Sequence, residues 1–226
     1  MKRKRIIYSE LAYFAGIFIL ALGTAFMEKA DFGISMIVAP AYLIYLKALE
    51  YLPFFSFGMS EYLVQAVLLF LLSCIMGKFK KIYFLSFVTA FFYGIVLDLA
   101  IDLVALFPYA GIGWQVSFYL IGMVTCAMGV VLLLHTYFPP EAYELVVKEL
   151  SQKFHISFGI TKTIYDYCSC ALAVLLSLSF FGTFVGVKWG TFFCALLNGW
   201  LIGKISSFLE RKFIFRDMLS LKEKLQ

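Results

Sequence analysis

Charge is scarce in this chain. Asp, Glu, Lys and Arg together make up 15% of its 226 residues, where ordinary soluble domains carry about 25%. Histidine occurs twice, at His135 and His155, with no matched carboxylates or thiols in sequence to complete a metal site. Five cysteines are present, Cys74, Cys126, Cys168, Cys170 and Cys194, all inside apolar runs and without metal or redox spacing, so they read as inert thiols. There is no Gly-Lys-Ser/Thr phosphate loop, no His-Glu-x-x-His pair and no Gly-x-Ser-x-Gly elbow. These absences exclude an ATPase motor within the chain, give no nucleophile–base set for an enzyme and call for no cofactor. A net charge of +5 is not a nucleic-acid signature either, because no basic face with interleaved aromatics stands apart from the apolar runs.

What is abundant is apolar surface, at 63% of residues. A soluble domain this apolar has too little polar surface to cover itself, whereas in lipid the solvent is itself apolar. Runs of roughly 20 residues, enough to cross about 30 Å of hydrocarbon, fall at 8–27, 33–50, 58–77, 82–106, 114–135, 158–182 and 188–209. The abundant Phe and Tyr suit lipid-facing bulk and interfacial belts. Basic residues cluster beside these runs: Lys2 to Arg5, then Lys78, Lys80 and Lys81, then a tail at 210–226 with Arg211, Lys212, Arg216, Lys222 and Lys224. That placement suits cytoplasmic flanks of spans and, for the tail, anionic lipid.

The segment 135–157 breaks the pattern. It carries Glu141, Glu144, Lys148, Glu149 and Lys153 behind Pro139-Pro140, and reads as an amphipathic helix. Burying each charge at mid-bilayer costs about 2.5–3.5 kcal/mol, so the segment is expected to lie at an interface or to re-enter.

The sequence also repeats. Phe55-Ser56-Phe57-Gly58-Met59-Ser60 returns as Ile156-Ser157-Phe158-Gly159-Ile160-Thr161, Ala21-Leu22-Gly23 as Ala127-Met128-Gly129, and Pro40 near the position of Pro139-Pro140. The N-terminal run therefore reads as a span with a later counterpart rather than a cleaved signal. The expectation is one membrane domain with halves at 8–110 and 114–209. Each holds a span, a short Pro-containing helix, a Ser-Phe-Gly helix and a span. If the short helices do not cross, each half crosses three times and the second is inverted. This predicts an all-α polytopic fold of six full spans plus two partial helices, with both termini cytoplasmic. Eight spans is the alternative, and it places Lys78 to Lys81 on the opposite side.

On these motifs, over about residues 10–208, the chain resembles the YczE/YyaS/YitT-like family of bacterial integral membrane proteins, in its shorter branch without a soluble C-terminal domain. The resemblance implies a bacterial plasma-membrane location and a presumed transport role, with no known substrate or catalytic residue.

Two constellations carry candidate chemistry. Ser56 and Gly58, with Ser157 and Gly159, stand at helix starts, where free N–H groups attract anions. In an inverted pair these starts are expected to face each other, with Ser60 and Thr161 one turn on. The competing reading is close packing through small residues. The second constellation is Glu61 with Gln65 and its repeat counterpart, Lys162 with Asp166, both at i,i+4. Ionisable groups inside spans usually face a partner or a polar cavity. These four are expected to converge between the halves, unless Glu61 and Lys162 merely sit at the interface. Asp98 and Asp102 read more simply as a solvated outer helix end, and Glu28 and Asp31 as an interfacial loop after the first span.

The leading functional expectation is a small-solute transporter that needs only lipid and its solute, without nucleic acid. Alternatives are a substrate-binding membrane subunit docked on a separate energising complex, a homo-oligomer, and a non-transporting sensor or enzyme.

Overall fold

The computed structural model describes residues 5–107 and 111–217. The basic residues Lys2, Arg3, Lys4, Lys222 and Lys224 and residues 108–110 lie outside them, as does the side chain of Phe158. The described chain runs β1 (Arg5–Tyr8), α1 (Ser9–Ala30), α2 (Ala39–Leu49), α3 (Phe57–Met76), α4 (Lys81–Ala105), α5 (Ile112–Leu134), α6 (Ala142–Phe154), α7 (Phe158–Phe181), α8 (Trp189–Lys212) and β2 (Phe213–Arg216). Six of these helices, α1, α3, α4, α5, α7 and α8, are long and apolar enough to cross a membrane. In lipid such runs become helices because every backbone polar group must be satisfied within the segment. Glycines in the left-handed region, Gly77 after α3 and Gly182 after α7, close two of them.

The centre of the bundle is the crossing of α1 and α5. A Cβ on Gly23 would lie 2.5 Å from the Cys126 amide nitrogen, and one on Gly129 would lie 2.6 Å from that of Leu20. The helices thus touch backbone to backbone, which only small residues permit. Gly16 meets Leu133, Gly23 meets Cys126, and Met27 meets Gly122. Residue numbers rise on α1 as they fall on α5, so the two helices are antiparallel. Two crossings, α3 and α4, separate them, not three, and α2 is not a span. The six-span arrangement therefore holds and the eight-span alternative does not.

The sequence signals no strands, yet β1 and β2 pair in parallel, with Arg5 opposite Phe213 and Tyr8 opposite Arg216. Ile7 from β1 and Phe213 and Phe215 from β2 pack on Ala12, Val131 and Leu209. The start of α1 and the end of α8 therefore share one end of the bundle. Lys80 and Lys81 are at that end too, lining a cleft of about 1230 Å³ together with Ser9, His135, Phe215 and Asp217. At the other end Lys29 donates to the carbonyls of Val104 and Ala105, satisfying the end of α4, and Lys188 pairs with Asp31 at 2.6 Å.

The segment between α5 and α6 climbs back into the bundle. Its carbonyls, which no helix bonds satisfy, are met by α4: Ser86 donates to Pro140 O at 2.7 Å and Thr89 to Pro139 O at 3.1 Å. From Glu141 the chain returns as α6, which runs alongside α3. Ala142 N meets Gln65, and Lys153 reaches the Ile75 carbonyl. This is non-helical backbone buried in protein, the condition under which a bilayer tolerates it.

Candidate functional site

The first turn of α3 is built around Asp98 of α4. Ser56 accepts from Met59 N as the helix cap and donates to Asp98 Oδ2 at 2.5 Å, while Gly58 N donates to Asp98 Oδ1 at 2.8 Å. A Cβ on Gly58 would stand 2.0 Å from Gly94 O, so Gly is required where α3 crosses α4. The protein's own carboxylate thus fills the anion-attracting helix start, and Asp98 is no solvated helix end. Ser60, fully buried, donates to Ala41 O at the start of α2.

The corresponding start of α7 is different. Ser157 makes no side-chain cap, it and Gly159 are exposed, and nothing lies within 4 Å of a Cβ on Gly159. Thr161 donates to Ser157 O within its own helix. The two Ser-Phe-Gly starts do not face each other. Lys153, at the end of α6, reaches Ile75, so α7 begins beside the far end of α3, about 27 Å along that helix from Phe57.

The charged and amide residues do gather, around the start of α6. Ala142 N donates to Gln65 Oε1 at 2.9 Å, which fixes the amide's orientation, since the acceptor of an N–H must be the oxygen. Gln65 Nε2 then faces Glu61 Oε2 at 3.3 Å and Glu141 Oε2 at 3.5 Å, and the Tyr143 hydroxyl donates to Glu61 Oε2 at 2.9 Å. Glu61 is 0% exposed and Glu141 4%. Their other oxygens, both Oε1, are buried and accept no hydrogen bond from any described residue. Burial, then the carboxylates of Glu144 and Glu61, push the Glu141 carboxyl well above its ordinary range, against the opposing effects of Gln65 and Lys162.

Lys162 and Asp166 form the neighbouring part, on α7. Lys162 Nζ lies 3.3 Å from Asp166 Oδ1 and 3.7 Å from Glu144 Oε1 of α6. Tyr143 and Tyr165 share an apolar patch with Met36 and Ile37, which lead into α2. Neither Glu61 nor Lys162 is an isolated interfacial charge. Glu61 is fully buried, and Lys162 bridges α7 to α6.

Sequence reasoning missed Glu141, Tyr143 and Glu144 as members of this cluster. Their signal was the charge run behind Pro139-Pro140, which read as an amphipathic helix lying at an interface or re-entering, with no tie to Glu61 or Lys162. In fact Tyr143, Leu145, Val146, Val147 and Glu149 are all buried, and Lys148 and Lys153 take the outer side. Lys80 forms an ion pair with Glu149, which also accepts from Tyr83. Among the described residues no three His, Cys, Asp or Glu side chains are placed to hold a metal ion.

Residues 7–207 match a family of unknown function, DUF6198. The chain belongs to this family. The match covers nearly all of the six-span fold and brings no activity with it. Neither the curated proteins nor the solved structures contain a match, and the YczE/YyaS/YitT likeness rests on the short motifs alone.

Proposed function

We propose that this DUF6198 protein transports a small solute through the polar cluster between α3, α6 and α7. The observation that carries the reading is the burial of Glu61 and Glu141 inside a bundle of apolar spans, each with an oxygen that no described protein group satisfies. Such groups are costly in a membrane and usually mark a ligand or ion path. The cleft at the terminal end supplies an approach, since Glu144 and Pro140 line it and Glu141 follows Pro140 directly.

The fold is read as two inverted halves, supported by the antiparallel α1 and α5, each followed by a short helix that does not cross. Discontinuous helices starting near the midplane are the usual setting of a solute site in such repeats. The end carrying Arg5, Lys78, Lys81, Arg211 and Arg216 is read as cytoplasmic, because short cytoplasmic flanks carry the excess of Lys and Arg. The bacterial plasma membrane and the YczE/YyaS/YitT kinship belong to the same proposal. No separate energising subunit is invoked.

A melting-temperature screen of the purified protein against small metabolites tests the site, because a ligand that binds only the folded state must stabilise it. Hits are then tested for uptake into liposomes holding this protein alone. Uptake that persists unchanged in both Asp166→Asn and Gln65→Ala would remove the cluster from the transport path.

A further inference from the structure

We propose that Glu61 and Glu141 together hold a monovalent cation, a protonated amine or an alkali ion, between α3 and the start of α6. The proposal rests on the transport reading for its purpose but not for its test.

The charges of the cluster set the sign of the ligand. Four carboxylates converge, from Glu61, Glu141, Glu144 and Asp166, and the cluster holds one ammonium, Lys162. That ammonium is placed against Glu144 and Asp166. Opposite it stand Glu61 and Glu141, whose described partners are neutral: the Gln65 amide and the Tyr143 hydroxyl. Once Glu141 releases its proton, the start of α6 adds roughly half a positive charge, too little to balance two carboxylates. An anionic solute is repelled here, and at α3 the helix start is already filled by Asp98.

Geometry narrows the class further. Gln65 Nε2 and Tyr143 hold only the Oε2 atoms, and one amide nitrogen spans both carboxylates, so the two side chains are fixed close together. The Oε1 atoms are left for a ligand. Divalent ions are held by carboxylates with further oxygen ligands, waters or phosphates around them, and among the described residues no three His, Cys, Asp or Glu side chains are placed to hold one. A monovalent cation held by two carboxylates beside the rings of Tyr143 and Tyr165 matches what is present, since aromatic faces attract cations as well. Protons compete for the same oxygens, so the cation is bound in exchange for the proton that the raised affinity of Glu141 retains.

The test is equilibrium binding of radiolabelled sodium, rubidium and methylammonium to the purified full chain in detergent. Saturable binding of at least one probe is expected, and which probe binds distinguishes an alkali ion from an amine. Glu61→Gln and Glu141→Gln, isosteric and uncharged, should each weaken it at least about 10-fold, as loss of a charged contact worth 1.4 kcal/mol or more requires. Glu50→Gln, on an exposed surface pair with Lys47, should leave it unchanged. Melting temperatures establish that each variant is folded. Should a Gln variant not fold, Tyr143→Phe keeps the charges and is expected to weaken binding about 3- to 10-fold. The proposal is overturned if no probe binds the wild type saturably, or if folded variants bind as it does. Binding without liposome uptake would refute transport and leave the cation site standing; uptake of a neutral solute without cation binding would do the reverse.

Discussion

Replacing Gly58 by Ala and, separately, Gly159 by Ala should give opposite results at two positions that the sequence makes equivalent. A Cβ on Gly58 would sit 2.0 Å from Gly94 O and 2.6 Å from Asp98 Oδ2. Ordinary contact begins at 3.4 Å, so α3 must retreat from α4 by about 1 Å or more. The obstacle is backbone, which no rotamer change relieves, and overpacking of this kind costs about 1–3 kcal/mol. The retreat also strains the Ser56 and Gly58 hydrogen bonds to Asp98, charge-assisted and half-buried, for about 1 kcal/mol more. The total, about 2–4 kcal/mol, corresponds to a melting temperature lower by roughly 5–15 °C for a chain of this size. Gly159→Ala meets nothing within 4 Å and should be neutral or stabilising by up to about 1 kcal/mol, through the lower entropy of the unfolded chain. Thermal unfolding of both variants in the same detergent is the assay. Equal destabilisation, or a tolerated Gly58→Ala, would refute the claim that α3 is locked on α4 while the start of α7 stands open.

Further expectations concern charge and sidedness. The Glu141 carboxyl is held above its ordinary value of 4.5. Above that pH the folded state therefore keeps a proton that the unfolded state has lost, and stability should fall as pH rises, by up to about 1.4 kcal/mol per pH unit. In unfolding titrations without alkali ions, Glu141→Gln should flatten this slope; an unchanged slope would assign it elsewhere. Lys80→Met leaves Glu149, 6% exposed, with Tyr83 as its hydrogen-bond partner. It should cost about 1–2 kcal/mol, between the exposed-pair and buried-pair limits because Lys80 itself is partly solvated. Chemical denaturation measures this, and Lys80→Met with Glu149→Gln together should recover part of the loss. In intact cells, a cysteine at Lys78 should resist an impermeant thiol reagent while one at Glu50 reacts; the reverse pattern would overturn the cytoplasmic assignment of the termini.

The spans were legible because lipid imposes one requirement on a crossing segment, and length with hydropathy meets it. The non-crossing of α6 was legible for the converse reason, since Glu141, Glu144, Lys148, Glu149 and Lys153 are too costly to carry across. The interior of that hairpin was not legible. An amphipathic pattern predicts which face is polar but not that Glu141 and Glu144 turn inward, because their partners, Gln65 and Lys162, stand 76 and 18 residues away. Asp98 was misread for a similar reason. Its i,i+4 relation to Asp102 is local and visible, while the Ser56 hydroxyl and the Gly58 N–H it satisfies belong to the start of another helix. The strands β1 and β2 are four residues each, too short for alternation to register, and each needs the other to exist.

That strand pair has a consequence for synthesis. Ile6 leaves the ribosome about 200 residues before its partner Ile214, which at 5–20 residues per second is a wait of roughly 10–40 s. All six spans must be inserted before the two ends can meet. The pairing is thus a late tertiary contact of the growing chain, and a chain that stops within α8 cannot make it.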